Sequence, residues 1–145
     1  MSQLPNFRIA LIRSARLFSD EINTLLEPYQ LNFSLWQALY AIHQKKECTS
    51  IEIAEELNVS KPSITKRMQV LEKLQLIQPL PSMDKRQKLF CLSNEGHKLY
   101  QICASQIDAL EEHLLSAFAE SDTEQTQHLL TQLIDTLQQR KMEQK

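Results

Sequence analysis

A single glycine in 145 residues is the tightest constraint this chain places on its own fold. Hairpin-rich all-β proteins use glycine at their turns, because it adopts left-handed backbone conformations at little steric cost. One Gly and five Pro therefore predict a helical protein with little strand. The apolar spacing agrees. Across residues 4–27, Phe7, Leu11, Ala15, Phe18, Ile22 and Leu25 recur at intervals of four and three, one face of a helix that Pro28 helps to end. A second helix over residues 34–44 carries Leu35, Trp36, Leu39, Tyr40 and Ile42, dense enough in large apolar groups to sit centrally.

Thr49, Ser50, Ile51 and Glu52 fit a capping box, in which hydroxyl and carboxylate satisfy free amides at a helix start. The short helix so begun runs to Leu57. Asn58 and Val59 link it to Ser60, a second N-cap candidate, with Pro62 in the first turn, where its missing amide costs nothing. This is a helix-turn-helix arrangement, with its second helix over residues 61–74. Residues 76–80 read as a strand confined to an edge by Pro79, residues 82–88 as a polar turn, and residues 89–92 as the returning strand. Ser93 then caps a long helix bearing Leu99, Ile102, Ile107, Leu110, Leu114 and Phe118. Residues 121–124 repeat the capping-box pattern before a last helix with Leu129, Leu130, Leu133, Ile134 and Leu137.

Charge is distributed unevenly along these elements. Residues 60–90 hold seven of the sixteen Lys and Arg side chains and only two carboxylates, although the whole chain carries −2. Residues 1–59 carry five positive and seven negative groups, and residues 91–145 carry four and nine. The acidic flanks hide a basic middle, and binding fields follow local patches rather than the chain average.

With Ile64, Met68 and Leu71 turned inward, the opposite face of the 61–74 helix presents Pro62, Thr65, Lys66, Gln69 and Lys73. Thr65 and Gln69 suit base edges, whereas Lys61, Lys66 and Lys73 suit phosphate, as do Ser60 and Ser63 at a helix start rich in free amides. Arg67 falls on the flank of the inward face, within reach of a phosphate or of Asp84. The turn Asp84, Lys85, Arg86, Gln87, Lys88 reads as the tip of a wing, with Arg86 suited to a narrow A·T-rich minor groove and Asp84 either orienting Arg67 or Arg86 or simply forming the turn. A solvated basic face and a protein-binding winged helix are the alternatives this pattern leaves open.

Other classes find less support. No apolar run approaches the ~20 residues of a membrane span, and the N-terminus lacks the basic start and long apolar stretch of a secretory signal, so a cytoplasmic protein is expected. Cys48, Cys91 and Cys103 are odd in number and widely spaced, which disfavours a disulfide framework or structural zinc. Cys48 stands in a polar stretch beside Lys45 and Lys46, which would lower its pKa if exposed, so a thiol-responsive regulator stays open. His43, His97, His113 and His128 show no ligand spacing, and no metal site or cofactor is expected. No Gly-rich phosphate loop, His-Glu-x-x-His or carboxylate pair accompanies the basic face, so no catalytic residue is assigned.

In order and spacing, Leu31, Trp36, Leu39, Ile53, Ala54, Leu57, Ser60, Ser63, Thr65, Leu71, Glu72, Leu76 and Ile77 resemble the MarR family of bacterial winged-helix regulators. Asp84 and Arg86 resemble its Asp-x-Arg wing motif, and Leu92, Ser93 and Gly96 its entry to the fifth helix. The chain departs from the family at Gln75, where Gly is common, and at Arg67, where an apolar residue is. The resemblance implies a mainly α winged helix-turn-helix protein, one MarR-type domain over residues 1–145 with its DNA-binding lobe at 32–92 and dimerisation helices at 4–28 and 94–142. It implies a transcriptional regulator, a repressor more often than an activator, acting as a homodimer on an inverted-repeat operator in double-stranded DNA. Phe7, Leu11, Leu129, Leu130, Leu133, Ile134 and Leu137 would then serve dimerisation, an expectation supported by two-sided apolar patterns that a small monomer hardly covers. It also implies a small aromatic or amphipathic ligand, for which Arg16, Tyr29, Phe33, Trp36, Tyr40 and His43 are candidates, the aromatics being equally accountable as core.

Overall fold

The computed structural model describes residues 3–84 and 86–144, and the chain divides into two compact units, residues 1–107 and 108–145. Helix α1 (Phe7–Leu26) starts where Asn6 accepts the Ile9 amide, and a 3-10 turn (Glu27–Tyr29) follows it. Helix α2 (Phe33–Lys45) is capped by Asn32 and buries Leu35, Trp36, Ala38, Leu39, Ala41 and Ile42. It packs against α3 (Ser50–Leu57) and α4 (Lys61–Lys73). The capping box before α3 forms as expected: the Glu52 amide donates to Thr49 Oγ1 at 3.2 Å, and the Thr49 amide to Glu52 Oε1 at 3.0 Å.

The wing is built from β2 (Ile77–Leu80) and β3 (Leu89–Leu92), paired antiparallel. The expected two-stranded ribbon is in fact a three-stranded sheet, because β1 (Cys48–Thr49) pairs with the other edge of β3, Cys48 opposite Phe90. Two residues were too few to leave an alternating pattern. Pro79 lies on edge strand β2, where its missing N–H leaves no central ladder bond unmade.

Helix α4 ends in a Schellman motif: the Leu76 amide reaches the Leu71 carbonyl at 3.0 Å and the Gln75 amide that of Glu72 at 2.9 Å. Gln75 takes φ 62° to do so, which accounts physically for glycine being common there in the family. Helix α5 (Asn94–Leu115) follows Ser93, whose Oγ accepts the Gly96 amide at 3.0 Å and donates to the Gln75 carbonyl at 2.6 Å. A Cβ on Gly96 would collide with the Leu76 carbonyl oxygen, so the one glycine marks a close approach of backbone to backbone.

Helix α6 (Glu120–Glu143) departs from its expected start. No capping box forms at Ser121–Glu124. Ala119 is the extended residue at the helix entrance, its carbonyl accepting the Asp122 and Thr123 amides at 3.0 and 3.2 Å, so Ser121 is already helical and cannot take the cap conformation. None of the residues of α6 is buried.

Candidate nucleic-acid interface

Ile64, Met68 and Leu71 set the rotation of α4 by being buried. Its exposed positions are then Lys61, Pro62, Thr65, Lys66, Gln69, Val70 and Lys73, and the polar members are those expected of a groove-facing surface. Ser60 Oγ accepts the Ser63 amide at 3.2 Å and starts the helix with Pro62 in its first turn. With the Ser63 and Ile64 amides taken by Ser60 and none on Pro62, exposed Lys61 supplies the amide and the ammonium at that start, groups suited to a phosphate.

Arg67 is turned elsewhere. Its Nη1 donates to the Ser34 carbonyl at 3.2 Å, so the guanidinium ties α4 to the first turn of α2 rather than to the wing. Of the two roles expected for Asp84, orienting a guanidinium or forming the turn, the structure shows the second: Asp84 Oδ1 accepts the backbone amide of Arg86 at 2.9 Å. The Asp84 carbonyl accepts the Gln87 amide at 3.2 Å, and its own amide donates to Ser82 Oγ at 3.2 Å. Asp84 therefore shapes the turn. Arg86, Gln87 and Lys88 are exposed around it, while Lys85 lies outside the described residues.

Helix and wing meet across a cleft of about 300 Å³. Thr65 and Gln69 line one wall, Arg86, Gln87 and Lys88 the other. The structure thus brings the predicted base-reading residues of α4 and the cations of the wing onto one concavity, whereas Lys61, Lys66 and Lys73 are exposed on α4 but do not line it. Thr49, Ser50 and Glu72 also line it and were absent from the predicted set. The capping box had placed Thr49 and Ser50 at a helix start, but only the β1–β3 pairing sets that start beside the wing. Glu72 is the carboxylate among these walls, able to accept from a cytosine amino group or to repel a misplaced phosphate.

The predicted ligand residues do not converge on one place. Trp36 stacks on Tyr100 of α5 with ring centroids 5.1 Å apart, and His43 stacks on the same Tyr100 ring at 3.7 Å. Tyr40 and His97 approach the same cluster, at 6.5 Å from Tyr100 and 6.4 Å from His43 respectively. Tyr29 instead accepts from Gln106 Nε2 through its hydroxyl at 2.8 Å, and the half-buried Phe33 gives its amide to Asn23 Oδ1 at 2.7 Å. Arg16 lines a shallow groove on α1 with Arg8, Ile9, Ile12 and Arg13. Tyr100, the hub, went unpredicted because an aromatic on a long amphipathic helix has no distinguishing sequence signal. His43 Nδ1 is buried without a hydrogen-bond partner. Among the described residues no three His, Cys, Asp or Glu side chains cluster as metal ligands.

Cys48 overturns the reading of an exposed, activated thiol. It is buried in β1, and burial first, then Glu52, push its pKa from 9.0 up to about 11, with Lys45 pulling weakly the other way. Burial raises Cys103 as well. Phe7, Leu129, Ile134 and Leu137 are exposed, and Leu11, Leu130 and Leu133 half-buried. No described helix is long and apolar enough to cross a membrane.

The sequence model of the MarR family matches residues 29–87, the span holding the helix-turn-helix and most of the wing. The HTH-type transcriptional regulator YwoH of Bacillus subtilis is 36% identical over 117 residues, covering 81% of this chain and 85% of that protein. The chain belongs to the MarR family. It is a transcriptional regulator of that family, mainly α with a winged helix-turn-helix. Among solved structures, Staphylococcus aureus MarR in complex with salicylate and kanamycin is 25% identical and superposes with a TM-score of 0.84, over 92% of this chain and 91% of that one. The S. aureus MepR–DNA complex superposes at 0.81 with 22% identity, over 92% and 99%, a likeness of fold. This MarR-family chain keeps the Asp84 and Arg86 wing positions, and uses the former as a turn former.

Proposed function

We propose that this MarR-family regulator binds double-stranded DNA as a homodimer on an inverted repeat, with half-sites about 10 base pairs apart, and represses transcription by occupying the promoter. The carrying observation is the cleft shared by α4 and the wing, with Thr65 and Gln69 facing Arg86, Gln87 and Lys88. Gln69 and Thr65 read base edges, Lys61, Lys66 and Lys73 take phosphates together with Ser60 and Ser63, and Arg86 enters the minor groove beyond. Arg67 supports this surface through Ser34. Residues 32–92 act as the DNA-binding lobe of a single MarR-type domain, and residues 4–28 and 94–142 serve dimerisation. The protein works in the cytoplasm and performs no catalysis of its own.

Release by a small aromatic or amphipathic ligand fits the Trp36, Tyr40, His43 and Tyr100 cluster, by analogy with the salicylate-bound relative.

Selection from a random DNA pool at physiological salt is the deciding experiment. It should return an inverted repeat, and affinity should fall about a thousandfold or more between roughly 50 and 200 mM salt. Lys66→Ala should weaken binding to every sequence, whereas Gln69→Ala should reduce discrimination by about 1–3 kcal/mol at one base position per half-site. Equal loss on cognate and random duplex for Gln69→Ala rejects its reading role. Failure to retain any duplex, even in dilute buffer, rejects the function.

A further inference from the structure

Helix α2 stands between the helix assigned to the dimer and the helix assigned to the groove, packing against both α1 and α4. Apolar burial holds such neighbours together without direction. Ile64, Met68 and Leu71 therefore fix which face of α4 turns inward more firmly than they fix its position along α2. A hydrogen bond to one particular backbone group supplies that register, and two such bonds meet on adjacent residues at the start of α2. The Phe33 amide donates to Asn23 Oδ1 of α1 at 2.7 Å, and the Ser34 carbonyl accepts from Arg67 Nη1 of α4 at 3.2 Å.

Local chemistry makes these two residues a firm anchor. Phe33 and Ser34 open α2, where the first amides have no partner within the helix. Asn32 Oδ1 accepts the Leu35 amide at 2.8 Å, and Asn23 takes that of Phe33, so the helix start is held by its own cap and by a neighbouring helix. A carbonyl has two lone pairs, so that of Ser34 can accept a guanidinium and still serve its own helix. Arg67 is half-buried, and the walls of the cleft between α4 and the wing include neither it nor Asn23. A cation turned from the groove-facing surface to a backbone carbonyl is placed to hold that surface steady.

We infer that Asn23 and Arg67 form a bridge through residues 33–34 that fixes α4 relative to α1 and thereby sets the half-site spacing the dimer accepts. Arg67 acts in it as a positioning residue. The inference rests on the homodimer reading and deepens it. With α1 serving the dimer, the separation of the two recognition helices depends on how each α4 is fixed to its own α1. One base pair changes the half-site separation by ~3.4 Å and its rotation by ~35°. Apolar contacts alone would let α4 absorb part of that offset, whereas a directional bond at each end of the bridge resists it.

Binding of the selected operator, and of versions with one base pair inserted or removed between its half-sites, tests this with full-length protein. Wild type should lose about tenfold or more at either altered spacing, whereas Arg67→Met, which keeps an apolar stem and drops the donors, should lose about threefold or less. Asn23→Leu should flatten the penalty in the same way, and the double variant should add little to either, because both act through one anchor. Arg67→Lys and Asn23→Asp, which keep a donor and an acceptor, should retain most of the penalty. Salt dependence separates positioning from contact: phosphate binding by Arg67 would make Arg67→Met lower the slope by about 2 per dimer, the bridge by less than about 1. Circular dichroism verifies folding, and should Arg67→Met unfold, Asn23→Leu, which leaves Arg67 in place, decides. A lowered slope with the spacing penalty intact makes Arg67 a phosphate ligand and overturns the bridge. A wild type indifferent to spacing, or variants that keep the full penalty, also overturn it while DNA binding stands. A wild type that retains no duplex removes the DNA-binding reading and the bridge together.

Discussion

Helices α4 and α6 are both amphipathic, but α4 buries Ile64, Met68 and Leu71 within 13 residues while α6 buries none of its 24. Apolar spacing of three and four has two outcomes in one chain. In α4 the stripe meets α2 and α3 and becomes core, leaving the opposite face free for Thr65, Lys66 and Gln69. In α6 the stripe of Leu129, Ile134 and Leu137 stays exposed. Periodicity identifies a face that must be covered; it does not say by what.

The strongest way to break this contrast is Leu71→Ala. Leu71 is fully buried, so its truncation should lower unfolding stability by about 2–5 kcal/mol, read by denaturant titration. A loss under about 1 kcal/mol would mean that the lobe does not carry its own core. Leu137→Ala sharpens the contrast from the other side: it should weaken dimerisation by roughly tenfold while leaving far-ultraviolet circular dichroism unchanged. Helix loss in dilute, monomeric protein would instead make Leu137 a fold residue.

A smaller effect tests the lobe's interior through pH. The folded state raises the Cys48 pKa from 9.0 to about 11, so it prefers the neutral thiol. That preference contributes stability in full below pH 9, and the contribution is lost as pH rises towards 11. The melting temperature should fall over that window more steeply than in Cys48→Ala, and the thiol should resist alkylation in the folded protein at neutral pH. The smallest change is expected from Gln75→Gly, which relieves the left-handed φ of 62° and should stabilise by up to about 1 kcal/mol. A clear loss of stability would show that Gln75 makes contacts outweighing its backbone strain.

Much of the architecture was legible because local chemistry is written residue by residue. The Thr49–Glu52 box, the Ser60–Pro62 start and the Ser93 cap all formed where the residues placed them. The matching pattern at Ser121–Glu124 failed. A capping box needs its first residue extended, and the preceding chain decides that: Thr49 leaves strand β1, whereas Ser121 already lies in the first turn of a helix whose extended cap is Ala119. Cys48 was misplaced for a related reason. Its neighbours in sequence are Lys45, Lys46 and Glu47, but its neighbour across the sheet is Phe90.

From its sequence alone this protein was a helical chain with one basic helix-turn-helix and wing, because helix periodicity, caps and net charge depend on residues a few positions apart. Tertiary structure alone decided that Arg67 reaches Ser34, that Asp84 serves the Arg86 backbone amide, that Tyr100 gathers Trp36 and His43, and that Gly96 lies against Leu76. Most of these pair groups tens of positions apart. Even Asp84, two residues from its partner, had competing partners of similar reach. Which contact forms is settled by the packing of whole elements, a quantity no local pattern contains.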